Sequence, residues 1–302
     1  MFKSKNGMSR ALVRRETTAG YLFLLPSLFF FVTFVLYPMF LCIYTSFFDS
    51  NMGKNAVDVF VGLGNYKELF QDKLFLGALK NTVIIVVVAV PTVCAFSLWV
   101  ATAIYDMKPA LTSAFRCIFY LPVVTGSVAV TVVWKWMYNS RFGVFNYLFK
   151  SLGIIDQNIN WLGDARFALW CIILILFTTS VGQPIVLYVS ALGNVDHSLV
   201  EAAQVDGANR RQVFWKIKWA QIMPTTLYIL IITTINSFQC FALIQLLTSG
   251  GPPHSTDTIM YYIYYTAFKL YRYGYGNAMG VVLMIIIAVL SAVQFKLGQQ
   301  SD

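Results

Sequence analysis

Charged side chains are scarce in this chain of 302 residues. Only 12% of the residues are Asp, Glu, Lys or Arg, whereas 58% are hydrophobic. Soluble globular proteins carry about 25% charged residues, so this chain has too few polar side chains to cover a water-facing surface of its size. The composition excludes an ordinary soluble domain and predicts an integral membrane protein.

Residue patterns for nucleotide, metal and redox chemistry are also missing. No G-x-x-x-x-G-K-[ST] loop occurs, because Gly53-Lys54 lacks both the upstream glycine and the following hydroxyl residue. The five cysteines lie in or beside apolar runs without C-x-x-C spacing, as is typical of small buried side chains. The two histidines, His197 and His254, lie in predicted loops on opposite sides of the membrane, so they cannot share a metal. We expect no catalytic residue, cofactor or metal in this chain.

Six long runs without a charged residue account for most of the sequence. Each is long enough, at about 20 residues per crossing, to span a bilayer as a helix. Their continuous apolar character, without alternation, argues against the strands of a membrane barrel. The runs are 17–48, 81–105, 117–134, 167–195, 219–256 and 273–295. The predicted fold class is therefore all-α, a polytopic bundle of six transmembrane helices.

The apolar runs, together with turn residues between them, predict the limits of the helices. The six membrane helices are predicted at 20–48, 81–104, 117–138, 167–193, 221–248 and 276–295. A short interfacial helix is predicted at 66–80 and another short helix at 144–151. The tyrosine-rich segment 261–275 suits a membrane–water interface.

The distribution of basic residues predicts the orientation. Five Lys and Arg residues precede the first apolar run, which favours a cytoplasmic N-terminus. That run is longer than the apolar part of a signal peptide, so we expect it to stay as a membrane helix. The predicted organisation is a cytoplasmic tail 1–19, a membrane domain 20–295 and a cytoplasmic tail 296–302. The net charge of +9 needs no nucleic acid, because basic residues beside an anionic leaflet explain it.

The inner loop 194–218 contains a short helix with signals at both ends. Ser198-Leu199-Val200-Glu201 has the form of a capping box, which predicts a helix beginning at about 199. Gly207 suits the left-handed conformation that ends it. The segment 209–219, which follows, is predicted to be an amphipathic helix along the inner face of the membrane. From these features alone, an ordinary connection with a good cap and a force-transmitting contact remain equally open.

Two sequence motifs resemble one family of transport proteins. Glu201-Ala202-Ala203, Asp206-Gly207-Ala208, Ile217 and Pro224 resemble the EAA loop of binding-protein-dependent ABC importer permeases. The segment 247–252, Leu-Thr-Ser-Gly-Gly-Pro, resembles the first permease of the maltose and multiple-sugar branch, and so does 60–66. The resemblance covers about 20–295. The family's usual Leu-Pro pair after the isoleucine is replaced here by Trp219-Ala220, which leaves the start of the fifth helix in doubt.

The resemblance implies a complex in the bacterial cytoplasmic membrane. It contains a second, non-identical permease, two cytoplasmic ABC ATPase subunits that bind ATP and Mg, and an extracytoplasmic solute-binding protein. This chain would be a non-catalytic subunit for uptake of a sugar or oligosaccharide. The residues implied to couple ATPase motion to the membrane helices are Ser198, Glu201, Ala202, Ala203, Asp206, Gly207 and Ala208.

Polar side chains inside the fourth and fifth helices are candidates for the substrate path. Buried amides and hydroxyls need partners in hydrocarbon, and a sugar offers many hydroxyl groups. Hydrogen bonding between helices is an equally good account of each one. The candidates are Ser180, Gly182, Gln183, Asn236, Ser237, Phe238, Gln239, Cys240 and Phe241, with Gln245 as a further polar residue. The resemblance places the sugar between these two helices.

Three alternatives stay open. An importer of a sugar phosphate such as glycerol 3-phosphate shares these motifs. A secondary transporter or channel working without ATP predicts ionisable residues deep in the membrane and usually inverted repeats, and neither is visible in helices four and five. A purely structural membrane scaffold leaves the capped inner loop unexplained.

Overall fold

The computed structural model describes residues 10–50 and 58–299, with side chains described for 16–50 and 58–298. The regular structure of this part of the chain is helical, except for two strands of two residues each. The strands, β1 (Phe48–Asp49) and β2 (Val59–Phe60), pair antiparallel. The helices are α1 (Arg10–Phe31), α2 (Tyr37–Thr45), α3 (Gly64–Gln71), α4 (Lys73–Tyr105), α5 (Pro109–Val124), α6 (Ser127–Met137), α7 (Val144–Ser151), α8 (Ala168–Ser180), α9 (Gly182–Gly193), α10 (His197–Val205), α11 (Arg210–Val213), α12 (Trp219–Phe238), α13 (Ala242–Leu247), α14 (Ile259–Phe268) and α15 (Tyr273–Gln299). The all-α class is confirmed.

Six crossings can be built from these helices. Five continuous segments are long and apolar enough to span a membrane, and the bent pair of α5 and α6 supplies a sixth. The five segments are Glu16–Thr45, Lys73–Tyr105, Ala168–Gly193, Arg210–Leu247 and Tyr273–Gly298. The predicted sixth helix, 276–295, falls inside the fifth segment, and the predicted fourth helix, 167–193, matches the third to within one residue. The predicted first helix, 20–48, was too long at its end, because α2 stops at Thr45 and Phe48 lies in β1. A π-helical turn, Val32–Leu36, joins α1 to α2 in the first segment.

The predicted boundary before helix two was wrong. The interfacial helix expected at 66–80 is instead α3, which ends at Gln71, and α4 begins at Lys73. Asp72 separates them: its backbone is extended, and its carboxylate accepts a hydrogen bond from the amide of Leu74 at 2.8 Å. A capping carboxylate at this position starts a new helix eight residues before the apolar run does.

The predicted third helix, 117–138, is broken in two. Helix α5 begins at Pro109, inside the predicted inner loop 106–116, and α6 leaves it at an angle of 94° after Thr125 and Gly126. Proline at the first helical position explains the early start, because its missing N–H needs no partner there. The extended backbone at Thr125 explains the break.

The predicted fifth helix, 221–248, was wrong at its start and in its middle. The helix runs without interruption from Arg210, through a π-helical turn at Phe214–Lys218, into α12, so the expected separate amphipathic helix is its first part. The helix then stops at Phe238, and α13 resumes at Ala242. The intervening backbone, 239–241, lies among the predicted substrate-path residues.

The short helix predicted at 144–151 is confirmed as α7. The tyrosine-rich segment 261–275 contains α14 and the start of α15. Residues 1–9 and 300–302 of the predicted tails lie outside the described residues. Gly53 and Lys54, in the loop after the first crossing, lie outside them as well. Helix α1 begins at Arg10 and α15 ends at Gln299, so helices occupy the described part of both tails.

Helices α4, α9 and α12 form the core of the bundle. Their buried side chains include Val93, Ile185, Tyr188 and Ile229 in one cluster. At the opposite end of α4 from the inner loop, Asp72 accepts hydrogen bonds from the hydroxyls of Tyr262 (2.7 Å) and Tyr275 (2.8 Å). Partial burial alone would raise the pKa of Asp72, but these hydrogen bonds and the backbone amides of the helix start lower it below its ordinary value. The carboxylate therefore ties α4 to α14 and α15.

Candidate coupling loop and substrate path

Helix α10, in the inner loop, is capped by a different residue from the one predicted. Asp196 is the N-cap, and its carboxylate accepts from the amide of Ser198 at 2.9 Å and from the Ser198 hydroxyl at 2.8 Å. The capping box predicted at Ser198 and Glu201 was wrong, because Ser198 lies inside the helix and donates to the aspartate. These two hydrogen bonds lower the pKa of Asp196, so the cap is charged at neutral pH.

The end of α10 lies where the sequence predicted it. Gly207 has φ +82°, its amide donates to the carbonyl of Gln204 at 3.1 Å, and the amide of Ala208 donates to the carbonyl of Ala203 at 2.9 Å. This is the Schellman arrangement, which requires a left-handed residue after the helix. Nothing lies within 4 Å of a Cβ built on Gly207, so the glycine is needed for its backbone conformation and not for space.

The two faces of α10 differ. Val200 and Ala203 are half-buried, and Val200 packs against the core cluster of the bundle. Glu201 and Asp206 are exposed, and so are the apolar residues Leu199 and Val205, with Val205 88% exposed. Together with the exposed Ala202, Leu199 and Val205 form an apolar outward stripe. Sequence reasoning missed Leu199 and Val205, although their i, i+3, i+6 spacing with Ala202 was available.

The segment after α10 holds it against the membrane helices. Asn209 and Gln212 form a reciprocal capping box: the Gln212 amide donates to Asn209 Oδ1 at 2.9 Å, and the Asn209 amide donates to Gln212 Oε1 at 2.8 Å. The side chain of Gln221 accepts from the amide of Asp196 at 3.0 Å, which links the beginning of α10 to α12. Because α11 continues into α12 without a loop, only residues 206–209 separate α10 from a membrane helix.

The structure brings three of the predicted substrate-path residues together. Ser180, Gln183 and Asn236 line one cavity of about 170 Å³ between α8, α9 and α12. Thr179, Thr233 and Tyr228 line it as well and were missed. Helical spacing could have identified this face of α12, because Tyr228, Ile232 and Asn236 are four residues apart.

A second cavity lies at the break in the fifth helix. It has a volume of about 330 Å³ and is lined by Gln239, Cys240 and Phe241. Thr125 and Ser127, at the bend of the third helix, face it as well. The carbonyl of Cys240 accepts a hydrogen bond from the hydroxyl of Thr258 at 2.7 Å, so the irregular backbone is partly satisfied by the loop that follows α13.

The other predicted path residues are placed elsewhere. Ser237 is buried outside both cavities, and Phe238 packs in a cluster with Phe75 and Met279. Gly182 is a packing position, because a Cβ there would overlap the carbonyl oxygen of Phe119 on α5. Gln245 lines neither cavity. Substrate contact by the cavity-lining residues stays a prediction.

The lining of both cavities is uncharged. Neither contains Asp, Glu, Lys, Arg or His, and in the part of the chain with described side chains no group of three or more His, Cys, Asp or Glu could hold a metal ion. Hydroxyl and amide groups line these spaces, and such groups both donate and accept hydrogen bonds. The cavities therefore offer uncharged hydrogen-bonding groups together with apolar side chains such as Leu187 and Val130.

Known proteins match most of the chain. The sequence of residues 62–299 matches the family described as the binding-protein-dependent transport system inner membrane component. A probable ABC transporter permease, YesP of Bacillus subtilis, is 33% identical over 288 residues, covering 94% of this chain and 91% of that protein. The lactose transport system permease protein LacF of Rhizobium radiobacter is also 33% identical, covering 94% of this chain and 95% of that protein.

The fold matches a solved transporter. A chain of the crystal structure of a bacterial alginate ABC transporter, in complex with alginate pentasaccharide-bound periplasmic protein, superposes with a TM-score of 0.80 at 24% identity, covering 93% of each chain. The family match covers far more than half of the chain, and the inner loop and broken membrane helices described above fall within it. The chain therefore belongs to the binding-protein-dependent transport system inner membrane components, the permease subunits of ABC importers.

Proposed function

We propose that this permease imports a sugar or oligosaccharide delivered by an extracytoplasmic binding protein, together with a second, non-identical permease subunit. The observation that carries the proposal is the cavity lined by Ser180, Gln183 and Asn236, which offers uncharged hydrogen-bonding groups between membrane helices. The relatives LacF and the multiple sugar-binding permease MsmF of Streptococcus mutans support a carbohydrate.

Energy for uptake comes from partner subunits. The chain contains no P-loop, so ATP and Mg are bound by two cytoplasmic ATPase subunits and this subunit is non-catalytic. Each ATPase receives one short helix, and in this chain it is α10, whose apolar stripe of Leu199, Ala202 and Val205 faces outward. Closure of the ATPase dimer moves α10, and the continuous helix from Arg210 carries that motion to the cavity.

The orientation follows from the position of this contact. Loop 194–218 faces the cytoplasm, and with six crossings both termini lie there too. The segments 139–167 and 249–258 then face the outside, where the binding protein releases its solute. In this proposal the chain is a multi-pass protein of the bacterial cytoplasmic membrane, surrounded by lipid and without nucleic acid as a partner.

A sugar phosphate is the second candidate. The sn-glycerol-3-phosphate permease UgpA of Agrobacterium fabrum is 29% identical over 280 residues. A phosphate group is bound most strongly by Arg, Lys or clustered backbone amides. Because no basic residue lines either cavity, the geometry favours a neutral sugar.

Reconstitution tests the proposal. The complex, purified through a tag on this chain, is placed in proteoliposomes with its binding protein, and uptake of labelled di- and trisaccharides is measured with ATP on the side of loop 194–218. We expect uptake that requires ATP and the binding protein and stops with vanadate. Uptake without ATP would instead indicate a secondary transporter, and preferential uptake of glycerol 3-phosphate would support the second candidate.

A further inference from the structure

Helix α7 exposes large apolar side chains beside the polar residues Lys150 and Ser151. Its most exposed apolar residues are Tyr147, at 78%, and Leu148, while the polar Asn146 is buried. Leu152 and Ile154, just after the helix, are 62% and 63% exposed. A water-facing helix turns one apolar stripe inward, and Phe145 and Phe149 supply that stripe here. The exposed apolar residues are a second apolar surface, which suits an apolar environment.

This arrangement is rigidly built. Asn146 donates to the carbonyl of Ile159 at 2.9 Å and accepts from the Ile159 amide (3.1 Å) and from Nε1 of Trp161 (3.0 Å). Phe145 stacks on Tyr138 with ring centroids 4.8 Å apart. A Cβ on Gly143 would overlap backbone atoms of Asn139, so the turn into α7 is close-packed. The outward direction of Tyr147 is therefore fixed by its neighbours.

The exposed face continues onto α6. Val128, Val132 and Trp136 are all more than half exposed and follow i, i+4, i+8 spacing on that helix. The ring of Trp136 lies 6.4 Å from that of Phe142, which is itself exposed and precedes α7. Helices α5 and α6 are together long and apolar enough for one bent crossing, and the exposed surface continues from this pair to α7.

Two basic residues border the α7 face. Arg141 and Lys150 are exposed and line a groove of about 620 Å³ with Phe142, Tyr147 and Asn158. Neither has an acidic partner within salt-bridge distance among the described side chains. By contrast, Arg166 in the same segment is held by Asp164 at 2.7 Å.

We propose that α7 and its flanking turns lie in the lipid headgroup region, with Phe142, Tyr147 and Leu152 at the acyl boundary and with Arg141 and Lys150 contacting the phosphates of anionic phospholipid. Aromatic and aliphatic residues bordered by Lys and Arg are what an interfacial helix presents to a bilayer. A soluble partner would meet a surface about as polar as the rest of its exterior, and this face is not. The bilayer is therefore favoured over the binding protein as its occupant.

Photo-cross-linking tests the position of α7. The photoreactive residue p-benzoylphenylalanine is placed at Tyr147, at Leu152 and, as the control, at the exposed polar Gln157 of the same segment. The complex is irradiated in nanodiscs of phosphatidylcholine with about one third phosphatidylglycerol, and adducts are identified by mass spectrometry. We expect phospholipid adducts at Tyr147 and Leu152 but not at Gln157. Adducts at Tyr147 and Leu152 to another protein, or equal lipid labelling at all three sites, would overturn the proposal.

Charge reversal tests the headgroup preference independently. The measurement is the ratio of phosphatidylglycerol to phosphatidylcholine retained on the purified complex. We expect Arg141→Glu and Lys150→Glu each to lower this ratio by up to about fivefold, the effect of one basic side chain at an anionic surface. Arg166→Glu is the matched control and should leave the ratio unchanged. An unaltered ratio in the double variant, with the control also unaltered, would show that these two residues contact no anionic lipid.

Discussion

The amide of Ala208 donates to the carbonyl of Ala203 at 2.9 Å, closing the last turn of α10. This hydrogen bond forms only because Gly207, between them, takes φ +82°. A residue with a Cβ, especially a β-branched one, is strained in that conformation by about 1–3 kcal/mol. The shape of the proposed ATPase contact therefore depends on one glycine.

Gly207→Val should uncouple transport from ATP hydrolysis. We expect the complex to assemble and insert normally, while uptake in proteoliposomes and binding-protein-stimulated ATPase activity fall at least tenfold, because the end of α10 is displaced. Gly207→Asn should keep most activity, since Asn tolerates the left-handed region. Gly153→Val introduces the same strain at φ +70° in the segment 139–167 and should not affect coupling. Normal uptake by Gly207→Val would contradict the coupling role.

The sequence alone predicted the features that depend on residues close together in the chain. The apolar runs identified the crossings, and Gly207 marked the end of α10 because a left-handed residue is a local requirement. The start of α10 was misplaced because Asp196 and Ser198 are both good caps two residues apart, and the carboxylate takes both of the available donors. Choosing between two adequate caps requires the folded geometry.

Features determined by distant contacts could not be predicted. No proline or glycine lies at 239–241, where the fifth helix breaks, and the carbonyl of Cys240 is satisfied by Thr258, 18 residues later. Phe238, on the predicted path by sequence distance, is the last residue of α12 and packs in the core against residues of α4 and α15. Gly182 was interpreted as part of the path, whereas its contact with Phe119 on another helix explains its small size.

Substitutions in the cavity separate path residues from packing residues. Gln183→Ala and Asn236→Ala should each raise the KM for uptake by about two- to tenfold, the effect of removing one hydrogen bond to a neutral group. Ser237→Ala is the matched control, because Ser237 is next to Asn236 but lies outside both cavities. We expect it to leave KM unchanged. The reverse pattern, with only Ser237→Ala affecting KM, would show that the sugar follows a different face of α12.

Gly182 should be intolerant of even one added methyl group. The backbone of α5 approaches α9 here, so Gly182→Ala places its Cβ against the carbonyl of Phe119 and should destabilise the subunit by about 1–3 kcal/mol. Gly193→Ala, at the other end of α9, has nothing within 4 Å of the new atom and should be neutral or slightly stabilising. Thermal unfolding of the purified complex measures the difference. Equal melting temperatures for the two variants would show that the α5–α9 contact is loose.

The pair of His254 and Asp257 predicts a pH-dependent stability effect in the loop 249–258. His254 Nδ1 lies 2.7 Å from Asp257 Oδ2, and the aspartate side chain is only 2% exposed. Its other oxygen, Oδ1, has no hydrogen-bond partner among the described residues. Burial raises the pKa of Asp257, and the contact with His254 opposes that rise. The ionised carboxylate therefore depends on the histidine.

His254→Ala should destabilise the protein by about 2 kcal/mol at about pH 7, because a buried carboxylate loses its partner. The loss should shrink as the pH falls toward the raised pKa of Asp257, since the protonated carboxyl no longer carries a buried charge that the histidine must stabilise. A raised acid pKa favours folding at low pH and disfavours it as the pH rises through that value. The double variant His254→Ala/Asp257→Asn should recover most of the stability and lose the pH dependence, because the amide is neutral throughout. Melting temperatures measured across the acidic to neutral range test this.

The destabilisation by His254→Ala could instead be the same at every pH and unrelieved by the second substitution. That result would mean that the histidine acts through packing and not through the charge of Asp257.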